Sequence, residues 1–311
     1  MKKYTDIYDI EEYSKIIIEA ISLKNDPFQF EKLGKHKTLV MLFFNASLRT
    51  RLSTEKAAKN LGMQVMVLNV NEAWQLEFQD GAVMNLDKAE HIKEAAQVIS
   101  VYADIIAVRA FPTLTDKSLD QSEYILNSFV KYANVPILNM ESAIAHPLQA
   151  LADAITITEL KNKDKPKVVL SWAPHPKALP HAVANSFVAM MQNLDVELSI
   201  ACPKGYELDQ AITKETPIYN DQNATLKNAD FVYVKNWSSF SDYGKVLHND
   251  TNWMMTPEKL GRAKFMHCLP VRRNVVVVDA VLDGPNSLVI QQANNRTFAA
   301  QIVLKKIVEN L

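Results

Sequence analysis

The sequence predicts an α/β protein made of two doubly wound parallel-sheet domains, joined by interdomain helices and holding a site in the cleft between them. Three observations lead there. Short apolar runs recur along the 311 residues without clean polar–apolar alternation, as strands covered on both faces require. Stretches with apolar residues at helical spacing separate these runs, which implies parallel crossovers. The polar stretch Lys161-Asn162-Lys163-Asp164-Lys165-Pro166 then interrupts the alternation, which restarts beyond it. The length suits two domains of ordinary size.

Composition sets the bounds. Hydrophobic residues make up 48% and charged ones 22%, a globular balance. A formal net charge of −1 leaves no electrostatic footprint for nucleic acid or for an anionic membrane surface. The two cysteines, Cys202 and Cys268, give neither a disulfide framework nor a Cys-rich zinc site. No apolar run approaches the ~20 residues that span a bilayer. The N-terminus turns acidic at Asp6 and leads to no secretory core. A cytoplasmic protein without metal is expected.

The elements follow in order. Ile10 to Ile21 is an amphipathic helix. Strands are expected at Thr38–Phe44, Gln64–Val70, Asp104–Ala110 and Val135–Met140, with a helix from Glu90 to Ala103 and a long loop from Asn71 to Ala89 that carries Trp74. Ser142 to Gln149 open a helix that runs to about Leu160, with Pro147 in its first turn. Beyond the polar break, strands are expected at Val168–Trp172, Val196–Cys202, Asp230–Lys235, Lys264–Leu269 and Ser287–Gln291, with a helix from His181 to Leu194. A last helix, Asn295 to Leu311, buries Phe298, Ile302 and Leu304. The expected domains are 1–145 and 146–291, with the C-terminal helix 292–311 packing back on the first.

Polar groups gather where these strands end. After the first one, Ser47 stands as an N-cap, so Ser47-Leu48-Arg49-Thr50-Arg51 opens a helix that Gly62 stops. Free N–H groups and the positive end of the helix dipole, with two guanidinium groups and two hydroxyls added, suit phosphate. An ordinary capped helix with solvated arginines is the alternative. Arg109 is either a strand-end surface charge or an anion ligand. His146 and Gln149 lie one helical turn apart at a second helix start, as a cap and packing pair or as two donors. His175 sits in a stiff loop with three prolines, and Lys235 ends an apolar strand. His267 and Cys268 are neighbours in an expected strand and so face opposite ways, which leaves His267 badly placed to activate a thiol. Leu269-Pro270 is a bond that can be cis.

Taken together, Ser47-Leu48-Arg49-Thr50-Arg51, His146-Pro147-Leu148-Gln149 and His267-Cys268-Leu269-Pro270 resemble the three signature motifs of the aspartate/ornithine carbamoyltransferase family, in order and register across nearly the whole chain. The resemblance implies a carbamoyl-phosphate domain, an amino-acid domain, and a homotrimer with active sites at subunit interfaces. It implies that Ser47, the backbone of Leu48, Arg49, Thr50, Arg109, His146 and Gln149 hold carbamoyl phosphate. Trp74 would reach in from a neighbouring subunit, and Arg296 and the backbone of Leu269 would hold the carbamoyl end. No cofactor is implied.

The acceptor is expected to be an N-acylated ornithine. Enzymes of this family that use free ornithine carry an Asp and a Ser-Met-Gly loop; here the place reads Val234-Lys235-Asn236-Trp237-Ser238-Ser239, and Lys235 would repel an α-ammonium. Trp172-Ala173-Pro174-His175-Pro176 and Lys235-Asn236-Trp237 resemble the N-acylornithine branch, in which Glu141, His175, Lys235, Cys268 and Leu269 would contact the substrate. The acetyl type has a Glu before a Glu-His pair and a Lys four residues after the first Arg of Arg-Arg-Asn. This chain has Ala89 before Glu90-His91, and Val276 after Arg272. A missing carboxylate leaves room for a succinyl carboxylate, which Arg272 could receive, so N-succinylornithine is favoured, in arginine biosynthesis. Glu90, one place away, is the feature that keeps N-acetylornithine open. A non-catalytic two-domain ligand-binding protein is the alternative of another class. Catalysis is expected from Thr50, Arg109, His146 and Cys268, by direct attack on the carbamoyl carbon.

Overall fold

Three strands that end side by side on one sheet edge place the first group of polar residues. In the computed structural model, which describes residues 1–70 and 75–311, the first half holds β1 (Thr38–Phe43), β2 (Gln64–Asn69), β3 (Leu76–Glu77), β4 (Glu90–His91), β5 (Ile105–Arg109) and β6 (Ile137–Glu141). Four of them form a parallel sheet in the order β2-β1-β5-β6. The central pair is buried almost throughout, which is why β1 and β5 carry no polar alternation. Phe43 pairs with Arg109, and Arg109 with Glu141 across a register shift, so three carboxyl ends share one edge. Core residues such as Leu42, Ile106, Val108, Ile99 and Phe129 pack against one another behind it.

The second half holds β7 (Lys167–Trp172), β8 (Glu197–Ala201), β9 (Ile218–Tyr219), β10 (Phe231–Lys235) and β11 (Lys264–Met266), a parallel sheet in the order β11-β10-β7-β8-β9. Lys235 and Trp172 are paired at its carboxyl edge. The chain divides into two units, residues 1–148 with 296–311, and residues 149–295. It passes between them within two helices, Pro147–Leu160 and Val289–Val308.

Several boundaries differ from the sequence expectation. The expected strand at Ser287–Gln291 is one bridge, Phe265 with Ser287, after which Val289 opens the long C-terminal helix. An apolar trio such as Leu288-Val289-Ile290 fits either state, and no Gly or Pro separates it from the helix that follows. The expected strand Lys264–Leu269 stops at Met266, so strand alternation does not govern His267 and Cys268. The loop expected over Asn71 to Ala89 contains β3, which pairs with β4; the helix after it therefore starts at Ile92, with His91 Nδ1 accepting the Lys93 N–H. The first helix is Tyr13–Ser22 rather than Ile10 to Ile21. Gly62 does end its helix: φ is +79°, and a Cβ there would lie 1.9 Å from the Glu31 carbonyl oxygen.

Candidate active site

After β1 the chain turns through Asn45, whose Oδ1 accepts the Phe111 N–H at 2.7 Å and so ties the loop after β1 to the loop after β5. Ser47 Oγ accepts the Thr50 N–H at 3.2 Å, the cap the sequence calls for, although the helix proper runs Arg49–Asn60 with Leu48 at its boundary. Its first turn carries N–H groups without intrahelical acceptors, at the positive end of the dipole. Arg49 is half-buried beside them and Leu48 is exposed.

Buried cations converge on Thr50. Its Oγ1 accepts from Arg296 Nη2 at 2.6 Å and from Arg109 Nη1 at 3.3 Å. Arg109 also pairs with Glu141 Oε2, and His146 Nε2 lies 3.4 Å from that same oxygen. Thr50, Arg109, Glu141, His146 and Arg296 are all buried. Arg109 is therefore no surface charge: its guanidinium stacks on Phe111, 4.5 Å from the ring centroid, and Nε has no hydrogen-bond partner among the described residues. Glu141 was expected to follow its strand; it is the last residue of β6, which is what brings it across from Arg109. Glu141 thereby offsets the buried charge of Arg109 and gives the His146 ring an acceptor within reach. Arg51 lies apart from this group, over the Phe43 ring and 3.5 Å from Asn69 Oδ1.

The residues of the second unit form their own group. Arg272 Nε donates to His175 Nε2 at 3.1 Å. Because that guanidinium N–H can only donate, the imidazole accepts at Nε2 and is neutral, with Nδ1 2.9 Å from the Lys177 carbonyl oxygen. Burial, and then the charges of Arg272, Lys235 and Lys177, hold the His175 pKa below the ordinary value. Asn236 Nδ2 donates to the Ala173 carbonyl at 2.7 Å and fixes the two loops to each other. Val276 is buried, its N–H bonded to Arg272 O at 3.0 Å. Cys268 is buried; Leu269 has φ +54° and its bond to Pro270 is cis. The His267 ring is engaged locally, Nδ1 accepting the Leu269 N–H at 2.9 Å.

Gln149 belongs to this second unit, and Nε2 donates to Asp153 Oδ1 at 2.7 Å. Ala89 is exposed and Glu90 half-buried, on the first unit's β3–β4 segment. Trp74 lies outside the described residues. Sequence reasoning missed Asp153 and Gln292. A carboxylate four residues after Gln149, among the Leu, Ala and Ile of positions 150–155, was a usable signal for Asp153. Nothing local points to Gln292.

Among the described residues no cluster of His, Cys, Asp or Glu suits a metal ion, and no helix is long and apolar enough to cross a membrane. Residues 2–159 match the carbamoyl-P binding domain of aspartate/ornithine carbamoyltransferase, and residues 180–307 match its Asp/Orn binding domain. The chain is 46% identical to an N-succinylornithine carbamoyltransferase of Bacteroides fragilis over the whole of both chains. It is 36% identical to an N-acetylornithine carbamoyltransferase of Xylella fastidiosa, over 94% of this chain and 96% of that one. Its backbone superposes with a TM-score of 0.91, at 33% identity, on a crystal structure of an N-acetyl-L-ornithine transcarbamylase variant complexed with carbamyl phosphate and N-succinyl-L-norvaline; 99% of this chain and 100% of that chain are covered. With both domains matched in order and three guanidinium or imidazole groups gathered at a helix head, the chain belongs to the aspartate/ornithine carbamoyltransferase family.

Proposed function

We propose that this protein transfers the carbamoyl group of carbamoyl phosphate to the δ-amine of N-succinyl-L-ornithine, releasing N-succinyl-L-citrulline and phosphate, as a cytoplasmic step of arginine biosynthesis. The observation that carries the reaction is the meeting of Arg109 and Arg296 on Thr50 Oγ1 at the start of the Arg49–Asn60 helix. Phosphate binds at the helix N–H groups with Ser47, the Leu48 backbone and Arg49. The carbamoyl oxygen takes Thr50, Arg109 and His146 as donors fixed before charge develops on it. Arg296, Gln149 and the Leu269 backbone hold the carbamoyl end, and Trp74 reaches in from a neighbouring copy.

The δ-amine resembles lysine, with a pKa near ~10.4, so it attacks only after losing a proton. It attacks the carbamoyl carbon directly. The departing phosphate accepts the proton, and no enzyme-bound intermediate forms. Cys268 contacts the amine rather than acting as a nucleophile. Glu141 and His175 contact the acyl-ornithine, Lys235 pairs its carboxylate, and Arg272 receives the succinyl carboxylate. Ala89, where the acetyl type has a Glu, takes away a charge that would repel that carboxylate, and Val276 stands in place of the acetyl type's Lys.

Support for the succinyl group comes from the 46% identity to a succinylornithine enzyme, against 36% to an acetylornithine enzyme. It comes too from the crystal structure in which an acetylornithine enzyme, with one glutamate replaced by alanine, holds N-succinyl-L-norvaline. N-acetylornithine is kept as the second reading by the Glu90 carboxylate, next to Ala89. The test is phosphate release from carbamoyl phosphate with succinyl-, acetyl- and unmodified ornithine in parallel. Succinylornithine should give the highest kcat/KM by at least about tenfold, the worth of one lost charge contact. Faster turnover of acetylornithine overturns the acyl assignment, and no phosphate release with any acceptor overturns the reaction.

A further inference from the structure

Asp153 has no part in the chemistry above, yet it is fully buried in the middle of the Pro147–Leu160 helix. Two amides point at one of its oxygens. Gln149 Nε2 and Gln292 Nε2 each donate to Oδ1 at 2.7 Å, and Gln292 Oε1 accepts the His267 backbone N–H at 2.9 Å. All four residues are buried and belong to the same unit.

The direction of every bond in this chain is forced from one end. A backbone N–H can only donate, so Gln292 must turn its carbonyl oxygen to His267. Its amide nitrogen, which also only donates, is thereby turned to Asp153, and Oδ1 must accept. Gln149 is then obliged to present nitrogen as well, since a flipped amide would set oxygen against oxygen. An isolated glutamine can flip at little cost; this one cannot.

We infer that Asp153 is a positioning residue that fixes the Gln149 amide in the orientation able to read the carbamoyl NH2, and that through Gln292 it sets the same register for the His267–Pro270 turn. With Nε2 committed to Asp153, Gln149 offers Oε1, an acceptor, to the substrate. A carbamoyl group carries an NH2 donor where an acetyl group carries a methyl. The selection of carbamoyl phosphate over acetyl phosphate is therefore decided by a carboxylate one helical turn behind the glutamine. This rests on the proposed role of Gln149 as a carbamoyl ligand.

The experiment compares carbamoyl phosphate as substrate with acetyl phosphate as a competitive inhibitor, in wild-type protein and in Asp153→Leu. The wild type should bind carbamoyl phosphate about tenfold or more tightly than acetyl phosphate, the value of one well-placed hydrogen bond in a buried site. Leucine keeps roughly the volume but removes the acceptor shared by the two amides, and so releases the Gln149 amide to flip. The variant should lose about tenfold in KM for carbamoyl phosphate, with the acetyl phosphate inhibition constant unchanged. Equal weakening of both, or of neither, in a variant that still releases phosphate overturns the inference. Should Asp153→Leu not fold, the wild-type ratio and Asp153→Ala decide it: Asp153→Ala should also narrow the preference, and a wild-type ratio near one ends the case. Absence of phosphate release from the wild type would instead sink the carbamoyltransferase reading itself.

Discussion

Thr50 shows how much a single hydroxyl can organise. Its Oγ1 holds two guanidinium groups from positions 59 and 246 residues away, and its N–H closes the helix cap on Ser47. Thr50→Val preserves the β-branched shape and the cap but removes the hydroxyl, so Arg109 and Arg296 lose their common partner. We expect kcat to fall about 10²-fold, the usual loss for one donor to a developing oxyanion, with the unfolding temperature nearly unchanged. Near-normal turnover in a steady-state assay would refute the role given to it. At this scale the sequence was informative about identity and silent about pairing. Ser47, Arg109 and His146 were marked by standing at strand ends and helix starts. That Arg109 pairs with Glu141, and that His146 lies 3.4 Å from the same oxygen, depends on a register shift between neighbouring strands that no spacing along the chain encodes.

At the scale of elements, the loop after β7 carries a titration. His175 is held neutral by burial and by three nearby cations, so its pKa in the folded chain lies below the 6.5 of a free imidazole. The sign follows from proton counting. Above about pH 6.5 both states are neutral and nothing is gained or lost. Below it the unfolded chain binds a proton that the folded chain refuses, so stability drops as pH falls toward the folded value. Thermal unfolding should therefore decline less steeply between about pH 6.5 and 5 in His175→Gln than in the wild type; parallel curves would show that the histidine is indifferent. Secondary structure was legible here wherever a breaker marked an end. Gly62, Pro147 and the polar run before β7 each stand at a boundary. Leu288-Val289-Ile290 had no such mark on its C-terminal side, and the helix simply began earlier than its polar residues suggested. The β3–β4 pair is short enough for alternation to carry no signal.

For the molecule as a whole, the two-fold repetition of strand and helix was plain from hydropathy, because both sheets are buried and parallel. Assembly is less directly written. Leu48, Leu52 and Met66 are 66%, 58% and 53% exposed, three sizeable apolar side chains on the first unit. The homotrimer the family resemblance implies would cover such residues, and it would let Trp74 serve a neighbour's site. Sedimentation should find a particle of three 35.1 kDa chains. Mixing Trp74→Ala with Arg109→Ala subunits should regenerate some wild-type sites, because each hybrid contact can pair an intact tryptophan with an intact arginine. A monomeric particle, or hybrids as inert as their parents, would remove the shared-site arrangement.

Neighbouring residues of one helix serve different masters. Asn295 is tied to Thr156 and Glu159 in the second unit, while Arg296, the next residue, reaches Thr50 in the first. The gene therefore cannot be cut cleanly in the middle. A fragment ending at Leu148 would keep the Arg49–Asn60 helix and yet lack one of the guanidinium groups gathered on it, since that arginine arrives only after the whole of the other unit has been synthesised. The cluster on Thr50 is complete only once Arg296 has been made, although the threonine itself is synthesised some 246 residues earlier.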